Sequence, residues 1–153
     1  MDIKEVLQLT SPDRFIPELA AKDKEGVLAE MTDALVAGSP IGDKETILEM
    51  LKSRESLGST AVGPGVAFPH GRTLAAQDLI IVVARSRKGV PFASMDGEPT
   101  HLFFMLIAPP QDTGNQYIRS LAVLTEKMQD DAVREAALRA DGYEAFCKVL
   151  TEE

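Results

Sequence analysis

Two long apolar runs constrain the fold of this chain more than any other feature. Residues 78–86, "DLIIVVARS", and residues 100–109, "THLFFMLIAP", are almost continuously apolar and rich in branched and aromatic side chains. Runs of this length and kind are typical of strands in a sheet that is covered on both faces. Because such strands have no polar face to give to water, helices elsewhere in the chain have to supply the cover.

Helical spacing of apolar residues occurs before and after these two runs. Asp23 and Asp43 are suitable N-caps, and Gly38 and Gly58 stand where the corresponding helices end. The acidic cluster at 129–131 predicts a third capped helix start. In all, five helices are predicted, over residues 23–38, 43–58, 118–128, 130–139 and 142–150. These elements predict an α/β fold with helices on both sides of a sheet, in a single domain over residues 1–153.

Two segments rich in proline or glycine have a different character. Residues 11–19, "SPDRFIPEL", are predicted to be extended or irregular because of their prolines. Residues 59–71, "STAVGPGVAFPHG", have short apolar stretches on either side of Gly63, Pro64 and Gly65. This pattern predicts a strand, a tight turn and a second strand.

Composition excludes several classes of function. The net charge of −8, without a basic cluster interleaved with aromatic residues, argues against nucleic-acid binding and favours a basic protein partner. The single cysteine, Cys147, excludes an internal disulfide and is interpreted as a small core residue. The N-terminal "MDIKEVLQLT" does not have the pattern of a signal peptide, and no apolar run is long enough to span a bilayer. We therefore expect a soluble cytoplasmic protein that is not embedded in a membrane.

The segment "GVAFPHGRT", residues 65–73, contains the first of two histidines and is the strongest candidate for chemistry. Pro69 fixes its own φ and keeps Phe68 extended, whereas Gly71 is predicted to let the chain bend sharply after His70. These constraints hold the imidazole at a strand end. From spacing alone, a structural histidine that caps the strand end is the commoner interpretation.

The functional interpretation of His70 is phosphoryl transfer. A neutral imidazole is a good nucleophile near pH 7. In-line transfer of a phosphoryl group then requires positioning and hydrogen-bond donors for its three outer oxygens. Arg54, Ser59, Thr60 and Arg72 are the nearby residue types that can donate, the arginines most effectively through their planar guanidinium.

The second histidine, His101, opens the strand "HLFFMLIAP" and is interpreted as structural or solvated. Two histidines separated by a turn and a strand, without an acidic pattern such as H-E-x-x-H, form no recognisable set of metal ligands. We therefore predict neither a metal nor a cofactor.

The run from Arg54 to His70, "RESLGSTAVGPGVAFPH", carries a family resemblance. It matches ten positions, without a gap, of the pattern R-E-x-x-G-S-T-x-x-G-x-G-x-A-x-P-H. This pattern resembles the active-site signature of the type 2, or fructose/mannitol, enzyme IIA domains of the bacterial phosphoenolpyruvate-dependent phosphotransferase system. The first 60 residues resemble the stand-alone nitrogen-regulatory enzyme IIA proteins more than the sugar-specific fusions.

The resemblance implies a mixed β-sheet flanked by helices and a phosphohistidine at His70, formed through Nε2. It also implies that Arg54 is the arginine on the phosphate side, that an HPr-like phosphocarrier is the donor, and that an enzyme IIB domain or a regulatory target is the next partner. We expect the hydroxyls of Ser59 or Thr60 to hold phosphoryl oxygens, and an apolar rim that includes Phe68 to form the docking surface.

One departure from the family pattern concerns Tyr117. Many family members carry a second histidine beside the first, and Tyr117 occupies that position here, or Gln116 if the alignment shifts by one residue. A phenol can donate a hydrogen bond, but its ordinary pKa of about 10 keeps it neutral near pH 7. We therefore expect onward transfer to an enzyme IIB, or the lifetime of the phosphohistidine, to differ from the family's norm.

Two functions fit the sequence. The first is a phosphocarrier, more than a stand-alone enzyme, that regulates other proteins through its phosphorylation state. The alternative is a sugar-specific enzyme IIA of the fructose/mannitol class that passes the phosphoryl group to an enzyme IIB domain for sugar uptake.

Overall fold

A computed structural model describes residues 1–152 of the chain. In this part, six α-helices and a short 3-10 helix surround a five-stranded sheet. The helices are α1 (Ile3–Leu7), α2 (Lys24–Ala37), α3 (Lys44–Ser56), α4 (Gln116–Lys127), α5 (Asp131–Arg139) and α6 (Tyr143–Thr151). The strands are β1 (Phe15–Ile16), β2 (Val66–Ala67), β3 (His70–Arg72), β4 (Ile80–Val90) and β5 (Thr100–Ala108).

The sheet is mixed, as expected. Strands β4 and β5 pair antiparallel at its centre, β1 lies parallel to β4 on one side, and β2 and β3 lie parallel to β5 on the other. The pairing with β5 keeps one register across the gap between β2 and β3, with Ala67 opposite Phe103 and His70 opposite Leu106. Pro69, which has no N–H to donate, lies in that gap. His70 is therefore the first residue of the second piece of one interrupted strand.

Both faces of the two central strands are buried, which confirms the interpretation of the apolar runs. On one face, Val82 of β4 belongs to the same apolar cluster as Leu28 of α2 and Leu51 of α3. On the opposite face, Val83 belongs to a second cluster with Phe146 of α6. Adjacent strand residues point to opposite faces of a sheet. The predicted α/β architecture with helices on both sides is thus confirmed.

The five predicted helices are confirmed to within two residues at each end. The Asp23 carboxylate accepts a hydrogen bond from the Gly26 N–H at 2.7 Å, and Asp130 caps α5 by accepting from the Ala132 N–H at 2.9 Å. These bonds satisfy backbone donors that lack a partner within their own helix. Helix boundaries were predictable because capping depends on local sequence.

Other local predictions require correction. The segment 11–19, predicted to be extended or irregular, contains the extended strand β1, which pairs with β4, but it also contains a 3-10 turn over Pro12–Arg14 that was not predicted. The strand predicted before the Gly63 turn is reduced to an isolated bridge between Ala61 and Ala67. Helix α1 was not predicted, although Asp2 and Glu5 form a reciprocal capping box at its start.

Strand β4 continues beyond the predicted Ser86 to Val90, and its pairing with β5 shifts register between Arg85 and Val90. Within residues 1–152, no helix combines the length and the apolar character that crossing a membrane requires.

Candidate functional site

His70 is half-buried, and its ring is oriented by the backbone of its own strand. The Nδ1 atom lies 2.6 Å from the Phe68 carbonyl oxygen. Because a carbonyl oxygen can only accept a hydrogen bond, this contact assigns the proton to Nδ1. Nε2 then carries the lone pair. The ring nitrogen that remains for nucleophilic attack is therefore Nε2.

Gly71 has a different role from the predicted one. Strand β3 continues through Gly71 to Arg72, so the expectation of a sharp bend after His70 was wrong. Instead, a Cβ atom at Gly71 would lie 1.9 Å from the Sδ atom of Met50 on α3. The absence of a side chain allows α3 to pack directly against the strand that carries His70.

Arg54 lies on the helix that packs against β3. It lies four residues after Met50, on the same face of α3 and one turn closer to the C-terminal end of the helix. Its Nη1 atom donates to the Gly58 carbonyl oxygen at 2.9 Å. The charge of Arg54 also acts on Tyr117, which places the guanidinium within electrostatic range of that side chain.

The hydroxyls of Ser59 and Thr60 are engaged in hydrogen bonds within the loop that follows α3. Ser59 Oγ donates to the Phe92 carbonyl oxygen at 2.6 Å, and Thr60 Oγ1 donates to the Glu55 carboxylate at 2.5 Å. Each hydroxyl has only one proton to donate. In this arrangement both hydroxyls fix the loop, and their predicted contact with a phosphoryl group remains a prediction.

Glu55 is a residue of this site that sequence reasoning missed. It is buried, accepts hydrogen bonds from both the N–H and the hydroxyl of Thr60, and forms an ion pair with Lys24 at 2.8 Å. Adjacent residues on a helix point about 100° apart. Arg54 and Glu55 therefore face different directions. Because they are consecutive in the signature, the sequence could have indicated that the two side chains have separate roles.

Tyr117 on α4, and not Gln116, lies beside His70. The Tyr117 and His70 ring centroids are 5.8 Å apart, and Tyr117 is buried whereas Gln116 is exposed. Burial raises the pKa of Tyr117 to about 12, although the positive charges of Arg72 and Arg54 act in the opposite direction. The phenol is therefore neutral near pH 7 and supplies no charge to the site.

Arg72 completes the group of side chains around His70. Its guanidinium carbon lies over the Tyr117 ring, 4.8 Å from the ring centroid. Because side chains alternate along a strand, Arg72 and His70 lie on the same side of β3. The site thus combines an oriented imidazole with a neutral aromatic ring, with Arg72 over that ring and Arg54 within electrostatic range of it.

His101 lies at the opposite end of β5 from the residue that pairs with His70. Its Nδ1 atom is 2.9 Å from the Ser86 carbonyl oxygen, and its ring packs closely against Gly89. These contacts support the structural interpretation of His101. Residues 1–152 contain no cluster of three or more His, Cys, Asp or Glu side chains able to hold a metal ion.

Two expectations about apolar residues also require correction. Cys147 is half-buried beside Tyr143 instead of lying in the core, and burial raises the pKa of its thiol. Phe68 is only 4% exposed and stacks on Phe104, so it is not part of an exposed docking rim. Residue type alone did not reveal that this ring packs into the apolar cluster with Phe104.

The comparisons with known proteins agree on one family. A family model described as "Phosphoenolpyruvate-dependent sugar phosphotransferase system, EIIA 2" matches residues 8–153. A fructose-specific EIIA component from Haloferax volcanii is 30% identical over 152 residues, which cover 99% of this chain and 98% of that protein. A nitrogen regulatory protein from Bradyrhizobium diazoefficiens is 32% identical over 146 residues, covering 95% of this chain and 94% of that protein.

A longer relative matches over part of its length only. The fructose-specific EIIABC component of Bacillus subtilis is 31% identical over 134 residues, which are 88% of this chain but 21% of that protein. Among solved structures, the nitrogen regulatory protein IIA-Ntr from Neisseria meningitidis superposes with a TM-score of 0.88 at 28% identity, covering 96% of this chain and 99% of that chain.

The mannitol IIA protein of Escherichia coli has a TM-score of 0.76 at 22% identity, covering 92% of this chain and 98% of that chain, and therefore supports the fold alone. This chain belongs to the type 2 EIIA family of the phosphoenolpyruvate-dependent sugar phosphotransferase system. The resemblance stated from the Arg54 to His70 signature is confirmed, and both nitrogen-regulatory and sugar-specific proteins are among the relatives.

Proposed function

We propose that this protein is a phosphocarrier that accepts a phosphoryl group on His70 from an HPr-like protein and signals through its phosphorylation state. The observation that carries the proposal is the fixed imidazole, in which the contact of Nδ1 with the Phe68 carbonyl leaves Nε2 as the nucleophile. Residues 1–153 form a single domain of this type, which works in the cytoplasm.

The transfer reaction is a single displacement at phosphorus. The Nε2 lone pair forms the new bond to phosphorus while the bond between phosphorus and the donor's imidazole nitrogen breaks. That bonding pair returns to the donor ring. The Nδ1 proton of His70 stays in its hydrogen bond with the Phe68 carbonyl, which stabilises the positive charge that develops on the ring.

The surrounding residues divide into two groups. Arg54 binds phosphoryl oxygens, since it is half-buried next to the strand of His70 and its charge acts on the site. Ser59 and Thr60 hold the loop that Arg54 precedes. A direct contact between either hydroxyl and the phosphoryl group requires it to leave Phe92 or Glu55, so we assign them this positioning role first.

The docking surface for partner proteins is formed by exposed apolar side chains close to the site. Leu57 follows Arg54 at the end of α3, Leu74 follows Arg72, and Ile118 is adjacent to Tyr117; they are 84%, 90% and 61% exposed. Exposed leucine and isoleucine side chains on three segments around one histidine suit contact with the apolar surface of a phosphocarrier. The same surface then receives a regulatory target.

The regulatory function is supported by the likeness to IIA-Ntr over nearly the full length of both chains. A sugar-specific function is the second candidate, because the fructose-specific protein of Haloferax volcanii is similar over an equal length. Deletion of the gene from its host separates the two. Loss of growth on a single sugar, restored by the wild-type gene, would support the sugar-specific function and contradict the regulatory one.

Phosphorylation of the purified protein tests the acceptor residue. The protein is incubated with phosphoenolpyruvate, enzyme I and an HPr-like carrier, and its intact mass is measured before and after mild acid treatment. We expect the wild-type protein and the His101→Ala variant to gain one acid-labile phosphoryl group, and the His70→Ala variant to gain none. Labelling of His70→Ala, or no labelling of the wild type by a competent donor, would refute the proposal.

A further inference from the structure

Arg72 is held in a defined position although its side chain is exposed. Its guanidinium carbon is 4.8 Å from the centroid of the Tyr117 ring, within the range of a cation–π contact. Its Nη1 atom also approaches the carbonyl oxygens of Pro109 and Pro110 at 3.4 and 3.5 Å. The contact with the ring therefore holds the guanidinium in place without using most of its hydrogen-bond donors.

The remaining donors of Arg72 are available to a ligand. Among residues 1–152, neither Nε nor Nη2 of Arg72 has a hydrogen-bond partner, and no carboxylate forms an ion pair with it. Nε and Nη2 form one edge of the guanidinium, and such an edge binds two oxygens of a phosphoryl group in parallel. An arginine with this edge unused beside a nucleophilic histidine is suited to binding an oxyanion.

Arg72 and His70 also share the geometry that such a role requires. They are separated by one residue in β3, so their side chains lie on the same side of the strand with Cα atoms about 7 Å apart. The Tyr117 ring contacts both, with its centroid 5.8 Å from that of the His70 ring. Tyr117 is itself fixed by burial and by the hydrogen bond from its N–H to the Asp112 carboxylate at 2.7 Å.

We propose that Arg72 is a second phosphoryl-binding residue of this site and that Tyr117 is a positioning residue whose ring holds the Arg72 guanidinium beside His70. This inference rests on the proposed function of His70. It assigns to Tyr117 a role that depends on the aromatic face and not on the hydroxyl. The positive charge that the neutral phenol of Tyr117 cannot supply comes from Arg72, which lies over the Tyr117 ring.

The test uses phosphoramidate, a small phosphoryl donor that needs no protein partner. His70 Nε2 forms the bond to phosphorus, the phosphorus–nitrogen bond of phosphoramidate breaks, and ammonia leaves with a proton from solvent. Rates are measured by intact mass for the wild type and for Arg72→Gln, with Arg139→Gln as the matched control. Arg139 is an exposed arginine of α5 whose loss changes the net charge equally.

We expect Arg72→Gln to slow phosphorylation by about 10- to 100-fold, and Arg139→Gln to match the wild type. Equal rates for Arg72→Gln and Arg139→Gln would overturn the role of Arg72. Thermal unfolding of each variant shows whether the change is confined to the site, and Arg72, being exposed, can be replaced without loss of core packing.

Tyr117 is tested by rescue with the conservative variant. Tyr117→Leu should slow the reaction to the same extent as Arg72→Gln, and Tyr117→Phe should restore most of the rate because it keeps the ring. A slow Tyr117→Phe would overturn the role of the aromatic face. Repeating the measurement with the protein donor separates the two proposals. If phosphoramidate phosphorylates the protein and the protein donor does not, the phosphocarrier function is refuted. The comparison of the Arg72 variants with phosphoramidate still decides the role of Arg72.

Discussion

At the scale of single residues, the chemistry of the site depends on which donors and lone pairs of each side chain are not used in structural hydrogen bonds. The Nδ1–H group of His70 donates a hydrogen bond to the carbonyl oxygen two residues earlier, which leaves the lone pair of Nε2 without a partner in this bond. The hydroxyls of Ser59 and Thr60 donate their hydrogen bonds to Phe92 and Glu55. The same residue types were candidates in the sequence, but only the contacts distinguish the proposed nucleophile, His70, from hydroxyls that hold the loop.

Tyr117 provides a prediction at this scale because its ionisation reports its burial. The chain has two tyrosines, and burial raises the pKa of Tyr117 to about 12 and also raises that of Tyr143. In an ultraviolet titration we expect almost no tyrosinate signal near pH 10 in the folded protein, and about half of the full signal there after denaturation. A folded protein that ionises one tyrosine near pH 10, where the Tyr117→Phe variant shows none, would contradict the buried site.

The raised pKa of Tyr117 also predicts how stability changes in alkali. The unfolded chain ionises this tyrosine near pH 10 and the folded protein only at about pH 12, so the folded state binds the proton more tightly. The stabilisation is complete below about pH 10 and is lost as the pH rises towards about 12. Urea unfolding should therefore show a steeper alkaline loss of stability in the wild type than in Tyr117→Phe.

At the scale of elements, the site is assembled by the packing of α3 against β3. Gly71 and Met50 make the contact, and Arg54 follows one turn further along the helix. The sequence pattern identified α3 and its end, because caps and periodicity are local. It did not identify the close packing of α3 against β3. That packing requires glycine at position 71 because of Met50, which is 21 positions away in the chain.

Gly71→Ala tests this packing. The added Cβ would overlap Met50 Sδ, so Met50 or the end of α3 must move, at a cost of about 1 to 3 kcal/mol in the free energy of unfolding. Gly42→Ala is the matched control, since nothing lies within 4 Å of its added Cβ. The double variant Gly71→Ala with Met50→Ala should recover part of the loss. If Gly71→Ala is as stable as Gly42→Ala, the close packing is not present in solution.

A second contact between elements joins β4 to the end of α5. Arg85 is 2% exposed, and its guanidinium donates to the carbonyl oxygens of Ala137 and Ala140, both at 2.8 Å. A positive charge at the C-terminal end of a helix is favourable, and the Ala137 carbonyl lies in the last turn of α5, where carbonyl groups lack partners within their own helix. Nothing local in the sequence distinguished the buried Arg85 from the exposed Arg87.

Arg85→Leu should therefore destabilise the fold by about 2 to 4 kcal/mol, because buried carbonyl groups lose their donors. Chemical denaturation measures the change. Arg87→Leu is the control, since Arg87 is exposed and its Nε makes one long bond to Leu138 at 3.4 Å. Equal stability of the two variants would show that Arg85 does not hold the end of α5.

At the scale of the whole molecule, the sequence predicted those features that depend on apolar burial or on a local motif. The two apolar runs predicted the centre of the sheet, and the Arg54 to His70 signature predicted the family. The short strand β1 and the contact of Arg72 with Tyr117 were not predicted, because both depend on partners distant in the chain. Phe68 was misplaced for the same reason.

The distribution of charge is a further property of the whole molecule. The chain has a net charge of −8, yet the charges of Arg54 and Arg72 both act on Tyr117, whose ring lies beside His70. A local positive region in an acidic protein concentrates an anionic group at one place. The general expectation of a basic partner therefore applies to the protein as a whole and not to the surface immediately around His70.

The measurement that tests the central claim most directly is nitrogen NMR of the two histidine rings, before and after phosphorylation by an HPr-like carrier. Before the reaction, we predict that His70 carries its proton on Nδ1. Afterwards, we predict a phosphoryl group on Nε2 of His70 and an unchanged His101 ring. A phosphoryl group on Nδ1 of His70 or on His101, or unchanged signals from both rings, would contradict the account.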